Sequence, residues 1–119
     1  MEVRELTVMV GSDQPEELAR FYGDLLGLPR ASKYRDPVFR AGGANLRIVQ
    51  HSEIAGRNRT PARHLLNLFV DGDVRAAVER LRRLGITVVR EPEREWWGGL
   101  VSTVEDPDGN YVQLIEGSR

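Results

Sequence analysis

The amino-acid sequence predicts an α+β fold in which two βαβββ modules stand in tandem and form a curled mixed sheet around a cavity. Two observations support this prediction. A helical apolar stripe occurs twice, and each ends in a matching tripeptide, Leu26-Gly27-Leu28 or Leu84-Gly85-Ile86. Segments with the alternating pattern of β-strands surround both stripes. We therefore divide this single domain of 119 residues into module one (about 1–52), a linker (about 53–62) and module two (about 63–119).

Module one begins with a strand and a helix. Residues Val3–Val10 alternate between apolar and polar side chains, which predicts a strand. Ser12 or Asp13 is suited to cap the following helix, and Gly27 ends it. The helix carries apolar residues three and four positions apart, which share one face. These residues are Leu18, Phe21, Tyr22, Leu25 and Leu26.

Two further strands complete module one. Tyr34–Arg40 and Ala44–Gln50 are joined by Gly42-Gly43, a turn signal between two runs of strand-forming residues. The polar segment from His51 to Arg63 contains glycine and proline and has no period, so it predicts a linker.

Module two repeats the pattern. Leu65–Val70 predicts a strand, and Asp71-Gly72-Asp73 predicts a break with a helix cap. The second helix ends at Gly85. Its apolar stripe comprises Val74, Ala77, Val78, Leu81 and Leu84.

The C-terminal part predicts three strands separated by a loop and a turn. Ile86–Arg90 is a short strand, and Glu91–Glu95 is a loop because it is charged and contains Pro92. Leu100–Val104 is the next strand. Asp106-Pro107-Asp108-Gly109 has the chemistry of a tight turn. The last strand places Tyr111, Gln113 and Ile115 on one face and Val112, Leu114 and Glu116 on the other.

Composition limits the functions that the chain can serve. The formal net charge is −1 with both signs interspersed, which favours neither nucleic acid nor an anionic membrane as a partner. The absence of cysteine excludes disulfides and thiolate chemistry and favours a reducing compartment. No apolar run approaches the ~20 residues of a membrane helix. We therefore expect a cytoplasmic protein without a nucleic-acid or membrane partner.

Three stretches carry a family resemblance: Phe21–Leu28 (FYGDLLGL), Ala76–Leu81 (AAVERL), and Trp97-Gly98 followed by Asp106–Asn110 (DPDGN). Together with the element order, they resemble the vicinal oxygen chelate superfamily, which includes glyoxalase I, extradiol dioxygenases and bleomycin-resistance proteins. The match covers nearly the whole chain and implies the tandem βαβββ fold. Because small members of the bleomycin-resistance type are dimers, the resemblance also implies a homodimer.

The resemblance implies a metal site only if the ligand positions carry suitable residues. By strand phase, the four inward positions are Glu5, Arg47, Leu65 and Gln113. Arg47 and Leu65 cannot bind a metal, since a guanidinium only donates hydrogen bonds and leucine has no ligand atom. We therefore expect no metal cofactor. An alternative set of Glu5, His64 and Gln113 or Glu116 would hold Ni, Zn, Mn or Fe if a bulge brought His64 into phase.

Strand phase also predicts the lining of a cavity for a small organic ligand. The candidates are Glu5, Thr7, Met9, Tyr34, Phe39, Arg47, Leu65, Asn67, Phe69, Val101, Thr103, Tyr111 and Gln113. Glu5 and Arg47 carry opposite charges at neighbouring inward positions. They therefore either contact a ligand or pair with each other.

Trp96 and Trp97 are adjacent and precede two glycines, which predicts a loop. Loop tryptophans often cap a pocket or an interface, so both are candidate ligand-binding residues. In extended chain their rings point to opposite sides, and only one can face a cavity. Because Trp97 occupies the family's Trp-Gly position, we expect Trp97 to be structural and Trp96 to line the pocket.

The incomplete ligand set, the paired tryptophans and the mainly apolar cavity favour a binding protein over an enzyme. By resemblance to the bleomycin-resistance type, we expect sequestration of a planar or polycyclic antibiotic without metal, as in self-resistance. The alternative is a metal-dependent lyase, isomerase or dioxygenase of the glyoxalase type. A third hypothesis is a metal-free enzyme with Glu5 as general base and Arg47 as oxyanion stabiliser.

Overall fold

The chain divides into a first unit, Met1–Gly56, and a second unit, Arg57–Arg119, and the boundary lies inside the predicted linker. The computed structural model describes residues 1–32 and 36–117. Each unit combines helix with a mixed sheet, which confirms the α+β class. Among the residues that the structure describes, no helix is long and apolar enough to span a membrane.

The first unit contains a sheet of three strands in the order β1-β3-β2. Its elements are β1 (Leu6–Ser12), α1 (Pro15–Ala19), a π-helix that continues α1 (Arg20–Leu25), β2 (Val38–Ala41) and β3 (Ala44–Gln50). Strand β3 pairs in parallel with β1 and antiparallel with β2. After the helix, an isolated bridge between Arg30 and Phe39 adds a single further pairing to this unit.

The predicted apolar stripe of the first helix is confirmed, but the helix is α-helical only as far as Ala19. Leu18, Phe21 and Tyr22 are at most 1% exposed, and the helix contacts β1 and β3. The Leu26 N–H donates to the Phe21 carbonyl at 2.9 Å, a bond across five residues that defines the wider π turn. Periodicity located the buried face, but it did not predict this change of helix type.

The start of the first helix differs from the prediction. Its N-cap is Gln14, whose side chain makes no capping hydrogen bond. Ser12 instead accepts from the Gln14 N–H at 2.9 Å, and Asp13 accepts from the Gly56 N–H at 2.9 Å. Both predicted caps therefore stabilise neighbouring loop backbone.

The second unit contains a sheet of four strands in the order β4-β7-β6-β5. Its elements are β4 (Leu66–Phe69), α2 (Val74–Arg83), β5 (Val88–Arg94), β6 (Leu100–Glu105) and β7 (Tyr111–Glu116). Strand β4 is parallel to β7, and the other neighbours are antiparallel. One face of this sheet is covered by α2, whose Val74, Val78 and Leu81 are buried.

Both ends of α2 form as the sequence predicts. One residue of the predicted apolar stripe, Leu84, is not buried. The Asp73 carboxylate accepts from the Ala76 N–H at 3.1 Å, which confirms the predicted cap. Gly85 follows the helix with φ 89°, a conformation that favours glycine. Leu84 is 50% exposed, so its assignment to the buried stripe was wrong. The helix ends at Arg83, and Leu84 is already the C-cap residue with a non-helical ψ of 7°.

Strand β5 corrects the predicted loop at Glu91–Glu95. The strand extends to Arg94 along the edge of the sheet, and its register against β6 shifts between Val88 and Arg90 and again between Arg90 and Glu93. Pro92 lies within the second shift. Proline is tolerated at an edge and at a bulge because no ladder hydrogen bond is lost there.

The tight turn between β6 and β7 is confirmed. The Asp106 Oδ1 accepts from the N–H groups of Asp108 and Asn110, both at 2.9 Å. Gly109 has φ 79° and donates its N–H to the Asp106 carbonyl at 3.0 Å. The turn fixes the register of β7 against β6, and thereby the face on which Gln113 lies.

Candidate functional site

The register of the second sheet arranges two rows of side chains on the face opposite α2. Across β4, β7, β6 and β5, the first row contains Asn67, Gln113, Thr103 and Arg90. The second row contains Phe69, Ile115, Val101 and Glu93. Neighbouring strands lie about 4.8 Å apart. A polar row and a mainly apolar row therefore run side by side on one surface.

A pocket of about 530 Å³ lies on this surface. It is lined by Asn67, Phe69, Arg90, Glu95, Trp97, Val101, Gln113 and Ile115. Four of these side chains are apolar or aromatic and four can form hydrogen bonds. Such a mixture, in a concavity of this size, is typical of sites for small organic ligands.

Trp97 reaches the pocket because of the turn between β5 and β6. The Glu95 N–H donates to the Gly99 carbonyl at 2.8 Å, and the Gly98 N–H donates to the Glu95 carbonyl at 2.9 Å. The six-membered ring of the Trp97 indole lies over Gly99, where a Cβ would be 1.9 Å from Cη2 and 2.0 Å from Cζ3. Only glycine permits so close an approach of the ring, and in this position Trp97 is 38% exposed.

The positions of the two tryptophans are the reverse of those predicted from the sequence. Trp96 is 94% exposed, whereas Trp97 lines the pocket. Both tryptophans lie in a turn and not in the extended chain that the prediction assumed, and the residue at the family's Trp-Gly position is the one that lines the pocket. The signal lay in Gly99, because a glycine two residues after a tryptophan leaves room for its ring.

Arg90 and Glu95 form the charged part of the pocket. The Arg90 Nη2 donates to Glu95 at 2.8 Å, and its Nε donates to Glu93 at 3.4 Å. The Arg90 and Glu95 side chains are 33% and 29% exposed. The hydrogen bond to Glu95 raises the pKa of Arg90 above its ordinary value, so this guanidinium stays cationic at all physiological pH values.

Arg90, Glu95 and Ile115 were absent from the predicted lining. Glu95 was missed because the Glu91–Glu95 segment was predicted as a loop. Arg90 was missed because it ended the predicted strand Ile86–Arg90, whose faces were not assigned. Ile115 was predicted on the same face as Gln113, and that phase alone would have placed it in the pocket.

Three other predicted residues of this unit lie outside the pocket lining. Thr103 belongs to the polar row but is only 4% exposed, and its Oγ1 accepts from the Gln113 Nε2 at 3.4 Å. Tyr111 borders a second concavity of about 400 Å³ beside residues 60–63. Leu65 is half-buried and precedes β4.

The predicted residues of the first unit lie on or beside the open face of its own sheet. Thr7 pairs with Asn45 and Met9 pairs with Arg47 across β1 and β3. The Glu5 carboxylate accepts from Asn45 at 2.8 Å and from Thr7 at 3.1 Å. Arg47 forms an ion pair with Asp36. The predicted Glu5–Arg47 pair is therefore replaced by separate partners.

Phe39 was predicted to line the cavity, and this prediction was wrong. Its side chain is 3% exposed and shares a face with Leu46, its partner across β2 and β3. A Cβ at Gly23 would lie 2.8 Å from the Phe39 ring, which shows how closely the helix covers it. Phe39 is a core residue because it lies on the helix-facing side of the strand. Tyr34 lies outside the described residues.

Within the second unit, the residues of the alternative metal set are not brought together. Glu116 lies on the helix-facing side of β7, opposite to Gln113, and accepts from the Val74 N–H at 2.8 Å. His64 is exposed in the turn before β4, and the β4–β7 register contains no bulge that would shift it. Within the described ranges, no group of three or more His, Asp or Glu could hold a metal ion. The polar row also contains the Arg90 guanidinium, which is cationic, donates only, and does not suit a divalent metal site.

An open mixed sheet that carries a half-apolar pocket is an arrangement typical of sites for small organic ligands. The model of the Glyoxalase/Bleomycin resistance protein/Dioxygenase superfamily matches residues 6–114, and the chain belongs to this superfamily. The resemblance seen in the sequence is thereby confirmed. No curated protein matches the chain.

Solved structures share the fold at low sequence identity. A glyoxalase-related enzyme from Fulvimarina pelagi is 23% identical with a TM-score of 0.77, over 94% of this chain and 86% of its own. TnmS3, an antibiotic binding protein from Streptomyces sp. CB03234, is 22% identical with a TM-score of 0.74, over 99% of both chains. Lactoylglutathione lyase from Agrobacterium tumefaciens is 21% identical with a TM-score of 0.71, over 94% and 92%. These similarities establish the fold alone.

Proposed function

We propose that this protein binds a planar or polycyclic, antibiotic-like small molecule and sequesters it without chemical change. Binding requires no metal ion, and the protein acts as a cytoplasmic homodimer in self-resistance. The pocket on the open face of the second sheet is the binding site.

The position of Trp97 carries this proposal. Its ring is held over Gly99 by the β5–β6 turn, and Trp97 is 38% exposed and lines the pocket. An indole fixed in this way offers a preformed surface for stacking, which lowers the entropy lost on binding. Phe69, which is 45% exposed, adds a second aromatic ring to the same pocket.

The chemistry of the polar side chains supports binding without metal. Asn67 and Gln113 present neutral amides, and Arg90 is engaged by two carboxylates. Amides orient an organic ligand by hydrogen bonds, whereas a guanidinium beside them repels a metal cation.

The similarity to TnmS3 is consistent with this function, because that protein is an antibiotic binding protein with the same fold. The same fold also occurs in a lactoylglutathione lyase, so the pocket and not the fold supports the proposal.

The test uses the two tryptophans as matched reporters, since the chain has no others. W96F leaves Trp97 as the only indole, and W97F leaves Trp96. Both variants are titrated in EDTA with a panel of planar polycyclic antibiotics that includes tetracycline and daunorubicin. We expect saturable, stoichiometric quenching in W96F and loss of high-affinity binding in W97F. Ligand recovered from the complex should have an unchanged mass.

Two results would contradict the proposal. One is binding that appears only after a divalent metal is added, and the other is conversion of the ligand to a product. Equal affinity in W96F and W97F would show that the pocket around Trp97 is not the site.

A further inference from the structure

We propose that the pocket selects flat, uncharged molecules that carry adjacent hydrogen-bond donor and acceptor groups along one edge. This inference rests on the proposed function and specifies the class of ligand. It follows from the division of the pocket floor into a polar row and an apolar row.

The polar row contains amide groups whose hydrogen-bonding capacity is not used. Among the residues that the structure describes, the Asn67 side chain forms no hydrogen bond, and the Gln113 side chain forms one long bond from Nε2 to Thr103 at 3.4 Å. The two residues are direct cross-strand neighbours. Their side chains therefore stand about 5 Å apart and present two donors and two acceptors to one edge of a ligand. A primary amide pairs best with a partner that offers both a donor and an acceptor.

The charged groups of the pocket favour an uncharged ligand. Arg90 is bound by Glu95 at 2.8 Å and by Glu93 at 3.4 Å. An anionic ligand would have to displace these carboxylates, and a cationic ligand would have to compete with the guanidinium for Glu95. Either exchange costs a charge-assisted hydrogen bond that is already made.

The apolar groups fix how the ligand lies. Ile115 lies two residues after Gln113 on β7, and its cross-strand partner Val101 lies two residues before Thr103 on β6, so both are about 7 Å from the polar row. Gly99 lies two residues before Val101, and the Trp97 ring covers it. A flat molecule can thus place its rings against Trp97, Ile115 and Val101 while its polar edge meets Gln113 and Asn67.

The test compares two probes that share one ring system. Lumichrome is a flat, uncharged tricycle with donor and acceptor groups along the edge of its pyrimidine-type ring. Dimethyllumichrome has both ring N–H groups methylated, so its faces are the same and its donors are lost. Isothermal titration calorimetry of the full chain with each probe should give about tenfold tighter binding of lumichrome.

Two variants remove the amides at nearly constant volume: Q113M and N67L. Each should reduce lumichrome affinity about tenfold and leave dimethyllumichrome affinity within twofold of the wild type. Q50M is the matched control, because Gln50 is exposed at the end of β3 and lies outside the pocket lining. Thermal unfolding of each variant verifies that the fold is retained.

Equal affinity for the two probes, a preference that survives in both variants, or failure of both probes to bind would overturn this inference. The antibiotic titration of W96F and W97F decides the proposed function separately. If the antibiotics quench Trp97 but the lumichrome comparison fails, the proposed function is supported and only the inferred class of ligand is wrong.

Discussion

The two units begin alike and diverge after their helices. In each, a strand leads to a helix that is followed by a glycine with positive φ, 80° at Gly27 and 89° at Gly85. In the second unit the chain then forms β5, a full edge strand of seven residues. In the first unit, the described residues form only one bridge at that stage, between Arg30 and Phe39.

This difference accounts for the pocket. Strand β5 supplies Arg90 directly, and its turn into β6 positions Glu95 and Trp97. The second module thus carries a pocket that depends on one hairpin. The comparison teaches that the pocket depends on an edge strand and its turn, which are the elements least constrained by the core.

The largest expected effect is a difference in stability between alanine variants of two phenylalanines. Both residues were predicted from the sequence to line the cavity. F39A should lower the free energy of unfolding by about 3–4 kcal/mol, because Phe39 is 3% exposed and lies against the first helix. F69A should cost roughly 1 kcal/mol, because Phe69 is 45% exposed on the open face. Chemical denaturation of both variants measures the difference. Similar costs would mean that the helix-facing side of the first sheet and the open face of the second sheet do not differ in burial.

A smaller effect is expected from the glycines of two hairpins. G99A introduces a Cβ 1.9 Å from the Trp97 ring, so the ring must move away from residue 99. We expect this to lower the free energy of unfolding by about 1–3 kcal/mol. G43A, between β2 and β3, meets nothing within 4 Å and is the matched control. In the W96F background, G99A should also increase acrylamide quenching of Trp97 and weaken ligand binding. Unchanged quenching in G99A would show that Gly99 does not position the ring.

Much of the fold follows from local pattern. The bounds of β3 and the turn at Asp106–Gly109 were predicted correctly, as was the Asp73 cap. Each depends on residues close in sequence whose side chains or φ values favour one conformation. Strand β5 was missed because Pro92 opposes a strand locally, and only its position on a bulged edge makes it acceptable.

The site was harder to predict than the fold. Alternation placed Asn67, Val101 and Gln113 on one face, and the structure brings these three into one pocket. It failed for Phe39, because alternation gives two faces without saying which is covered by a helix. Whether Trp96 or Trp97 lines the pocket depends on a close approach of the ring to Gly99. This is a tertiary contact, and hydrophobic periodicity does not predict it.

The shared helix ends provide a prediction in which the two units should agree. G27A and G85A each force alanine into a positive-φ conformation, and neither added Cβ meets an atom within 4 Å. The cost is therefore backbone strain alone, about 1 kcal/mol in each case. Equilibrium unfolding of the two variants should give values within experimental error of each other. A large excess for G85A would mean that the second unit depends on this helix end in a way the first does not.

The smallest effect concerns the ion pairs beside the two open faces. E95Q and D36N remove the partners of Arg90 and Arg47, and each should change the free energy of unfolding by less than about 1 kcal/mol because the pairs are partly exposed. E95Q should cost slightly more, since Arg90 and Glu95 are 33% and 29% exposed against 43% and 44% for the other pair. Glu95 raises the pKa of Arg90, so on the alkaline side the stabilising contribution of the pair is lost only above the ordinary arginine pKa. The difference between wild type and E95Q should therefore be constant from about pH 6 to 9. A difference that changed across this interval would show that another titrating group acts on the pocket.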